Sequence, residues 1–453
     1  MQKKLGTKLW IIILLSVALK MVLFLWFYTG NLAQITQPDS VSYSTPAEWL
    51  LRTGHFYASA NNFMFFRTPG YPCFLASIFW IFGHHYSMVI LAQISLSAIL
   101  ILTSYKIVER LFSPRAGLIA ALLAAMDYLA LGYSYLILSD FLFAVALSLG
   151  LLAGTYILTT PKVKYSNFLF LGLAVAVATT IRPINYFLIF VLIPIFAGYL
   201  WQQMEHKSRI ILALGVLLLP SIILVGGWQI RNNILFHSYR FSEITDQSGM
   251  RVFFSEGFQN YITTHRITKD QSIGIKQDIA IVLQNPLSTV KQFSLGLTRL
   301  LLETDRALIQ FFGSQNDIAV FRKIKQFLIQ FKFRLALTEY QEHTFNWFTS
   351  LYLLVALSCN IILYALLGVS LYGGLKQKLL QPKAAVHFFL LICVGYFILL
   401  SSNAVTNARF RLPFEIILDI YAAIGLSLII SWLTLPKTKF QSPISGLLER
   451  SGS

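Results

Sequence analysis

The chain has 453 residues, 56% of them hydrophobic and only 12% charged, with a formal net charge of +17. Soluble domains carry about 25% charged residues, so this composition excludes an ordinary water-soluble fold. In a soluble protein such a charge would suggest nucleic acid, but here it follows from basic loops between apolar stretches and one basic outer segment, and no nucleic-acid partner is expected.

The first apolar stretch, Leu9 to Phe27, is too long for the core of a secretory signal and lacks a small-residue cleavage site, so it reads as a membrane span. Hydrophobic length gives ten expected spans: 8–28, 87–108, 115–132, 138–159, 167–182, 184–201, 209–230, 348–372, 384–402 and 412–433. The expected fold is an all-α polytopic membrane protein in three parts. These are a transmembrane module over 1–231 that includes a first outer loop over 29–86, an extracytoplasmic segment over 232–346, and C-terminal helices with a short tail over 347–453.

The outer loop contains "QPDSVSYSTPAEWLLRTGHFYASANNFMFFRTPGYPCFLA". Thr45-Pro46-Ala47-Glu48 has the form of a capping box with proline at the first helical position, which predicts a short helix from there to about Arg52, stopped by Gly54. Pro72 predicts the start of a second helix, stopped by Gly83 and too short to span. Asp39 precedes the first helix and Arg67 the second. Locally, Asp39 reads either as the N-cap of an earlier helix start or as a reactive carboxylate.

The short connections fall alternately on two sides. One side holds Lys3, Lys4, Lys8, Lys106, Arg110, Arg115, Lys162, Lys164, Lys207, Arg209, Lys376, Lys378, Lys383, Lys437, Lys439 and Arg450, which makes it cytoplasmic and places both termini inside. The short loops and helix ends of the other side contain no lysine. They contain Arg52, Arg67, Arg182, Arg409 and Arg411, with Arg231 where a span leaves the membrane. An arginine fork suits phosphate or carboxylate. Any one of these side chains could instead snorkel to headgroups, but their clustering on the face that should be poor in cations favours binding.

Segment 232–346 is polar and basic, with amphipathic pieces such as "VKQFSLGLTRLLLETDRALIQFF" that predict helices on or near the membrane plane. Its Glu243, Asp246 and Glu256 read by default as solvated surface. Lys20, inside the first span, must pair inward or snorkel. His84-His85 lacks a nearby acidic partner in sequence and reads as an interfacial loop, so no metal site is expected there. Cys73, Cys359 and Cys393 read as buried small residues, with neither disulfide nor zinc spacing.

The run D-x-x-x-Y-x-x-x-A-x-x-L-L-x-x-G followed by R-x-P-G-Y-P-x-F-L-A resembles the first extracytoplasmic loop of the dolichyl-phosphate-mannose–protein mannosyltransferase-like family, which includes the aminoarabinose transferase relatives and forms the bacterial branch of the GT-C glycosyltransferases. Weaker similarity lies in "LSDFLFA" (138–144), "TTIRPINYFLIFVLIP" (179–194), "GGWQIRNNILFHSY" (226–239) and "ARFRLPFEIILDIYAAIGL" (408–426). The resemblance implies a multi-pass protein of the bacterial cytoplasmic membrane. Its donor would be a polyprenyl-phosphate-linked sugar reached from the outer face, and its acceptor a lipid, glycan or protein. It also implies that Asp39 is the catalytic carboxylate. The family often shows Asp-Glu at this place, and here the second position is Ser40. Asp140 matches a common acidic position, where it would orient an arginine, position acceptor or ligate a divalent ion with Asp39; locally it reads equally as an N-cap with Ser139.

The chemistry of the residues agrees. Glycosyl transfer needs a base for the acceptor hydroxyl and cations for the departing phosphate. One Asp plus several Arg on one face, with no Gly-rich nucleotide loop, supplies that inventory. Asp39 is the expected base and Arg67 the expected phosphate ligand, with Arg182, Arg231, Arg409 and Arg411 as further substrate contacts. A single displacement with one base would invert the anomeric centre. Two other readings stand beside this one: a polysaccharide ligase or polymerase using a diphosphate-linked donor, and a non-enzymatic flippase or transporter of lipid-linked saccharide. Transporters place ionisable residues near the midplane, whereas here they gather at one face.

Overall fold

A computed structural model describes the chain except residues 1, 57–66, 161, 205, 243–282, 285, 314, 330–331, 344–346, 377–382, 403–405 and 435–453. Glu243, Asp246 and Glu256 lie outside the described residues. The described residues form an all-helical polytopic membrane fold.

In chain order the helices are α1 (Gln2–Phe27), α2 (Pro38–Thr53), α3 (Gly70–Phe82), α4 (Tyr86–Leu111), α5 (Pro114–Met126), α6 (Tyr128–Ser134), α7 (Ser139–Thr159), α8 (Tyr165–Ile181), α9 (Leu188–Gln203), α10 (Lys207–Ser221) and α11 (Gly227–Phe236). They are followed by α12 (Pro286–Leu302), α13 (Ala307–Phe312), α14 (Gln315–Ile329), α15 (Phe333–Glu342), α16 (Trp347–Lys376), α17 (Ala384–Ser401) and α18 (Leu412–Thr434). Among the described residues, 8 helices are long and apolar enough to cross a membrane, or up to 9 with one bent pair. Each of the ten expected spans corresponds to a helical segment. The bent pair is α5 with α6, turned by 47°. Its cause is Asp127, whose carboxylate caps α6 by accepting from the Leu129 N–H at 2.8 Å. The remaining expected span, α8, is apolar but has only 17 residues. A π-turn at Ile222–Gly226 joins α10 to α11 in one crossing, Lys207–Phe236.

The first outer loop departs from expectation at the starts of both its helices. α2 starts at Pro38, not Thr45, and Pro46 lies inside it. The capping work is done upstream: Pro38 takes the first helical position, and the Ser40 hydroxyl accepts the Gln37 N–H at 2.9 Å while donating to the Ile137 carbonyl at 2.8 Å. Burial of Ser40, Tyr43, Ser44, Pro46 and Ala47 outweighs the hydrogen bond that an interior proline removes. Gly54, at φ 73°, ends the helix as expected.

α3 begins at Gly70, two positions before Pro72, and ends at Gly83. Gly70 has no room for a side chain. A Cβ there would stand 2.7 Å from the Ile181 nitrogen and the Thr180 carbonyl carbon. That close approach, with Thr68 Oγ1 donating to the Ile181 carbonyl at 3.2 Å, seats the turn after Arg67 on the end of α8.

Part of the segment after α11 clips onto the same loop. Gln310 Nε2 donates to the Ala33 and Thr36 carbonyls at 2.9 and 2.7 Å, and its Oε1 accepts from Gln37 Nε2 at 3.1 Å. Gln34 Nε2 donates to the Phe311 carbonyl at 3.1 Å. α13 is therefore a buried strut between protein elements, with Ala307, Leu308, Ile309 and Phe311 in the core.

Lys20 is buried, 4% exposed, within Coulombic reach of Asp127, so it faces inward. Cys73 is exposed, against the expectation of burial; Cys359 is partly buried and Cys393 buried.

Candidate active site

The ends of α7, α8 and α18 meet the first outer loop at one end of the bundle. α7 brings Asp140 in its first turn, and α8 ends at Arg182. A 3-10 turn, Ala408–Arg411, brings Arg409 just before α18, α2 brings Asp39 in its first turn, and the turn before α3 brings Arg67.

These five side chains form one charge chain. Arg67 Nη2 is 3.1 Å from Asp39 Oδ1, and Arg409 Nη1 is 2.8 Å from Asp39 Oδ2. Arg409 turns its other edge to Asp140, with Nε and Nη2 both 2.8 Å from Oδ2. Arg182 pairs with Asp140 Oδ1. Asp140 is fully buried, while the Asp39 side chain is 42% exposed and opens to the surroundings. The arginines are braced by neutral groups as well. Arg67 Nε donates to Ser42 Oγ at 2.8 Å and its Nη1 to the Tyr43 hydroxyl at 3.0 Å. The Tyr43 hydroxyl shares a hydrogen bond with Ser139 Oγ at 2.8 Å. Arg182 also lies over the rings of Phe143 and Phe410.

Burial pushes the Asp39 carboxyl up, but the Arg409 guanidinium and then that of Arg67 outweigh it and hold the carboxyl below its ordinary value, with Asp140 opposing them weakly. Asp39 is thus an accessible carboxylate with two cations at its back.

The structure brings Asp39, Arg67, Asp140, Arg182 and Arg409 together, and Asp39 is not an N-cap. Gln37 holds that position, and Asp140 likewise follows the N-cap Leu138. Arg231 and Arg411 do not join this chain. Arg231 donates to Asn232 Oδ1 at 2.9 Å and to the Phe56 carbonyl, and stacks on Trp228. Arg411, 0% exposed, pairs with Glu415 at 2.6 Å and donates to the Tyr128 hydroxyl and Asn360 Oδ1 at 2.8 and 2.9 Å. Asp127, Glu415 and Asp419 line a small cavity beside it, so ionisable groups also sit deeper in the bundle than the sequence suggested.

Four partners were given no role from the sequence, although Tyr43 stands in the D-x-x-x-Y run. Ser42 and Tyr43 follow Asp39 by three and four residues, a helical spacing that could have flagged them. Tyr133 and Asp305 had no local signal. The Tyr133 hydroxyl donates to Asp305 Oδ2 at 2.6 Å, and burial pushes the Asp305 carboxyl up while that bond and the Ala307 N–H pull it down. His84 does find an acidic partner, Glu48 of α2, at 2.9 Å. Among the described residues no three His, Cys, Asp or Glu side chains come together as metal ligands. Arg409 stands between Asp39 and Asp140, so the pair does not fit a shared divalent ion.

Residues 67–228 match the family model described as dolichyl-phosphate-mannose-protein mannosyltransferase. No curated protein matches the chain in sequence. Among solved structures, the chain is similar to the oligosaccharyltransferase AglB of Archaeoglobus fulgidus in complex with an inhibitory peptide and a dolichol-phosphate. The TM-score is 0.55 at 14% identity, over 100% of this chain and 52% of that one. An Archaeoglobus fulgidus oligosaccharyltransferase tethered with an acceptor peptide gives 0.56 at 17% identity, over 95% and 50%. ArnT from Cupriavidus metallidurans in the apo state gives only 0.37 at 15% identity, over 91% and 76%. The chain spans about half the length of the archaeal structures it matches. Residues 67–228 are thus similar in sequence to the dolichyl-phosphate-mannose-protein mannosyltransferase family, and the chain has a fold similar to that of the archaeal oligosaccharyltransferase.

Proposed function

We propose that the chain is a membrane glycosyltransferase that moves a sugar from a polyprenyl-phosphate donor to an acceptor hydroxyl or amine at the extracytoplasmic face, with inversion. The observation that carries this reading is an accessible carboxylate, Asp39, flanked by Arg67 and Arg409 at the mouth of the helix bundle. The family match over 67–228 supports it, as do the dolichol-phosphate and acceptor peptide held by proteins of the same fold.

In this reading the acceptor heteroatom bonds to the anomeric carbon as the bond from that carbon to the phosphate oxygen breaks. The acceptor proton goes to Asp39 and the electron pair leaves with the polyprenyl phosphate. Arg67 meets the charge that grows on the phosphate, and Arg409 and Arg182 hold the wall behind it. The site faces the periplasmic side of a bacterial inner membrane, with both termini cytoplasmic. The test is transfer from a synthetic polyprenyl-phosphate sugar by purified protein. Asp39→Asn keeps the shape of a half-exposed first-turn residue and is expected to fold normally, yet to transfer at least ~100-fold more slowly, the scale of a lost general base. Transfer by this variant at the wild-type rate removes Asp39 from the chemistry.

A further inference from the structure

Arg67 and Arg409 both serve Asp39, and on the reading above Arg67 also serves the donor phosphate. Their surroundings differ. Arg409 is committed, with Nε and Nη2 on the fully buried Asp140 and only Nη1 turned to Asp39. Arg67 is held in place by neutral groups, Ser42 Oγ and the Tyr43 hydroxyl, and pairs with Asp39 through Nη2. The guanidinium cannot follow a leaving carboxylate easily, because the Tyr43 ring lies 4.3 Å beneath it and the following turn is seated on α8 by Gly70. Asp39, by contrast, is 42% exposed and can rotate away.

We propose that the Asp39 carboxylate occupies the anion site that a lipid phosphate takes, so that the two compete for Arg67 and donor binding releases Asp39 to act as a base. The inference rests on the glycosyltransferase reading for the identity of the anion. A carboxylate and a phosphodiester of like charge repel each other, and one guanidinium edge does not satisfy both at full strength. With donor in place, Asp39 keeps Arg409 and loses Arg67. Its affinity for a proton rises at the moment when an acceptor proton must be taken. In the ligand-free site Asp39 is a poor base, and the order donor first, acceptor second follows from the geometry. Coupling of this kind is reciprocal: if phosphate weakens the Asp39–Arg67 pair, removing the Asp39 charge strengthens phosphate binding.

The probe is a short-chain polyprenyl methyl phosphodiester, which carries no sugar, holds one charge across the working pH range and cannot react. Its binding is measured by calorimetry on full-length wild type, Asp39→Asn, Arg67→Gln and the double variant in detergent at fixed ionic strength. Asp39→Asn is expected to bind at least ~5-fold more tightly than wild type, the lower end of ordinary coupling between sites, and Arg67→Gln more weakly. In the Arg67→Gln background, Asp39→Asn is expected to change binding little. Asp39→Ser serves as a second neutral variant should Asn yield poorly. If Arg67→Gln weakens binding while neither neutral variant strengthens it, the competition is overturned and the lipid-phosphate reading stands. If tightening persists without Arg67, it is general repulsion and the competition is again overturned. If no form binds the probe, the lipid-phosphate reading falls and the competition with it.

Discussion

Arg409 reaches Asp140 through two nitrogens, Nε and Nη2, both 2.8 Å from Oδ2 of a carboxylate that is fully buried. Arg182 takes the other oxygen. Asp140 is therefore the counter-ion that lets two guanidiniums stand side by side at the head of α7, and through Arg409 it fixes one oxygen of Asp39.

Removing that counter-ion leaves Arg182 without the carboxylate it pairs with and Arg409 with Asp39. Asp140→Asn is expected to cost about 3–5 kcal/mol, the usual penalty for breaking a buried ion pair from one side. The measurement is thermal or denaturant unfolding in detergent, with Arg182→Gln as a milder comparison because Arg409 still neutralises Asp140. Asp140→Asn at wild-type stability would mean that the carboxylate is not the anchor of this wall.

Asp39 also sets a pH signature. Its carboxyl lies below the ordinary value because Arg409 and Arg67 outweigh burial. A depressed carboxyl stays charged down to its lowered value, so the stability and the activity that need the charge are lost only as pH falls through that value. Wild-type kcat/KM for donor, which reports the free enzyme, is expected to show no Asp39 limb above about pH 4. Arg67→Gln removes one of the two cations and should move the limb to higher pH, whatever it does to the size of kcat/KM. An acid limb that does not move would show that Arg67 does not govern Asp39.

The candidate site was legible in the sequence through residue type and the expected side of the membrane. Arginines without lysines on the expected outer face flagged Arg67, Arg182 and Arg409, and the first-loop pattern flagged Asp39. Their assembly was not legible, because α2, α7, α8 and the turn before α18 meet only through long-range packing. The start of α2 was misplaced because Thr45-Pro46 is a good local cap. What overrode it was a contact across the fold, the Ser40 hydroxyl on the Ile137 carbonyl. Arg411 carries the same local signal as Arg409 two residues earlier. Only the helical turn decides that one faces Asp39 while the other faces Glu415.

That inward set makes a contrast of its own. Arg411 and Lys20 supply two cations near three carboxylates, Asp127, Glu415 and Asp419. Buried charge without a counter-charge is costly. Arg411→Gln strips the ion pair with Glu415 and the bonds to Tyr128 and Asn360, and is expected to lose about 3–5 kcal/mol. Asp419→Asn removes the surplus negative charge and is expected to leave the melting temperature unchanged or raise it. A loss at Asp419 as large as that at Arg411 would show that Asp419 is a paired member of the network.

Orientation decides whether Asp39 meets a lipid donor on the outer leaflet. The lysine-rich connections predict that Asp39, α2 and α3 lie outside and the connection before α8 inside. Thr53 at the end of α2 and Ser166 in the first turn of α8 are both exposed, each beside basic residues that mark a polar boundary, Arg52 in the first case and Lys164 in the second. Cys73 is exposed and would report on its own, so Cys73, Cys359 and Cys393 are first replaced by alanine. A single cysteine is then placed at Thr53 or at Ser166, and intact spheroplasts are treated with a membrane-impermeant thiol reagent. The Thr53 position is expected to label in intact spheroplasts, and the Ser166 position only after the membrane is opened. Equal total labelling after lysis shows that both sites are chemically accessible, so the difference reads sidedness and not burial. Labelling of the Ser166 position alone would turn the molecule over, set Asp39 against the cytoplasmic leaflet, and remove the outward-facing site on which the proposed transfer depends.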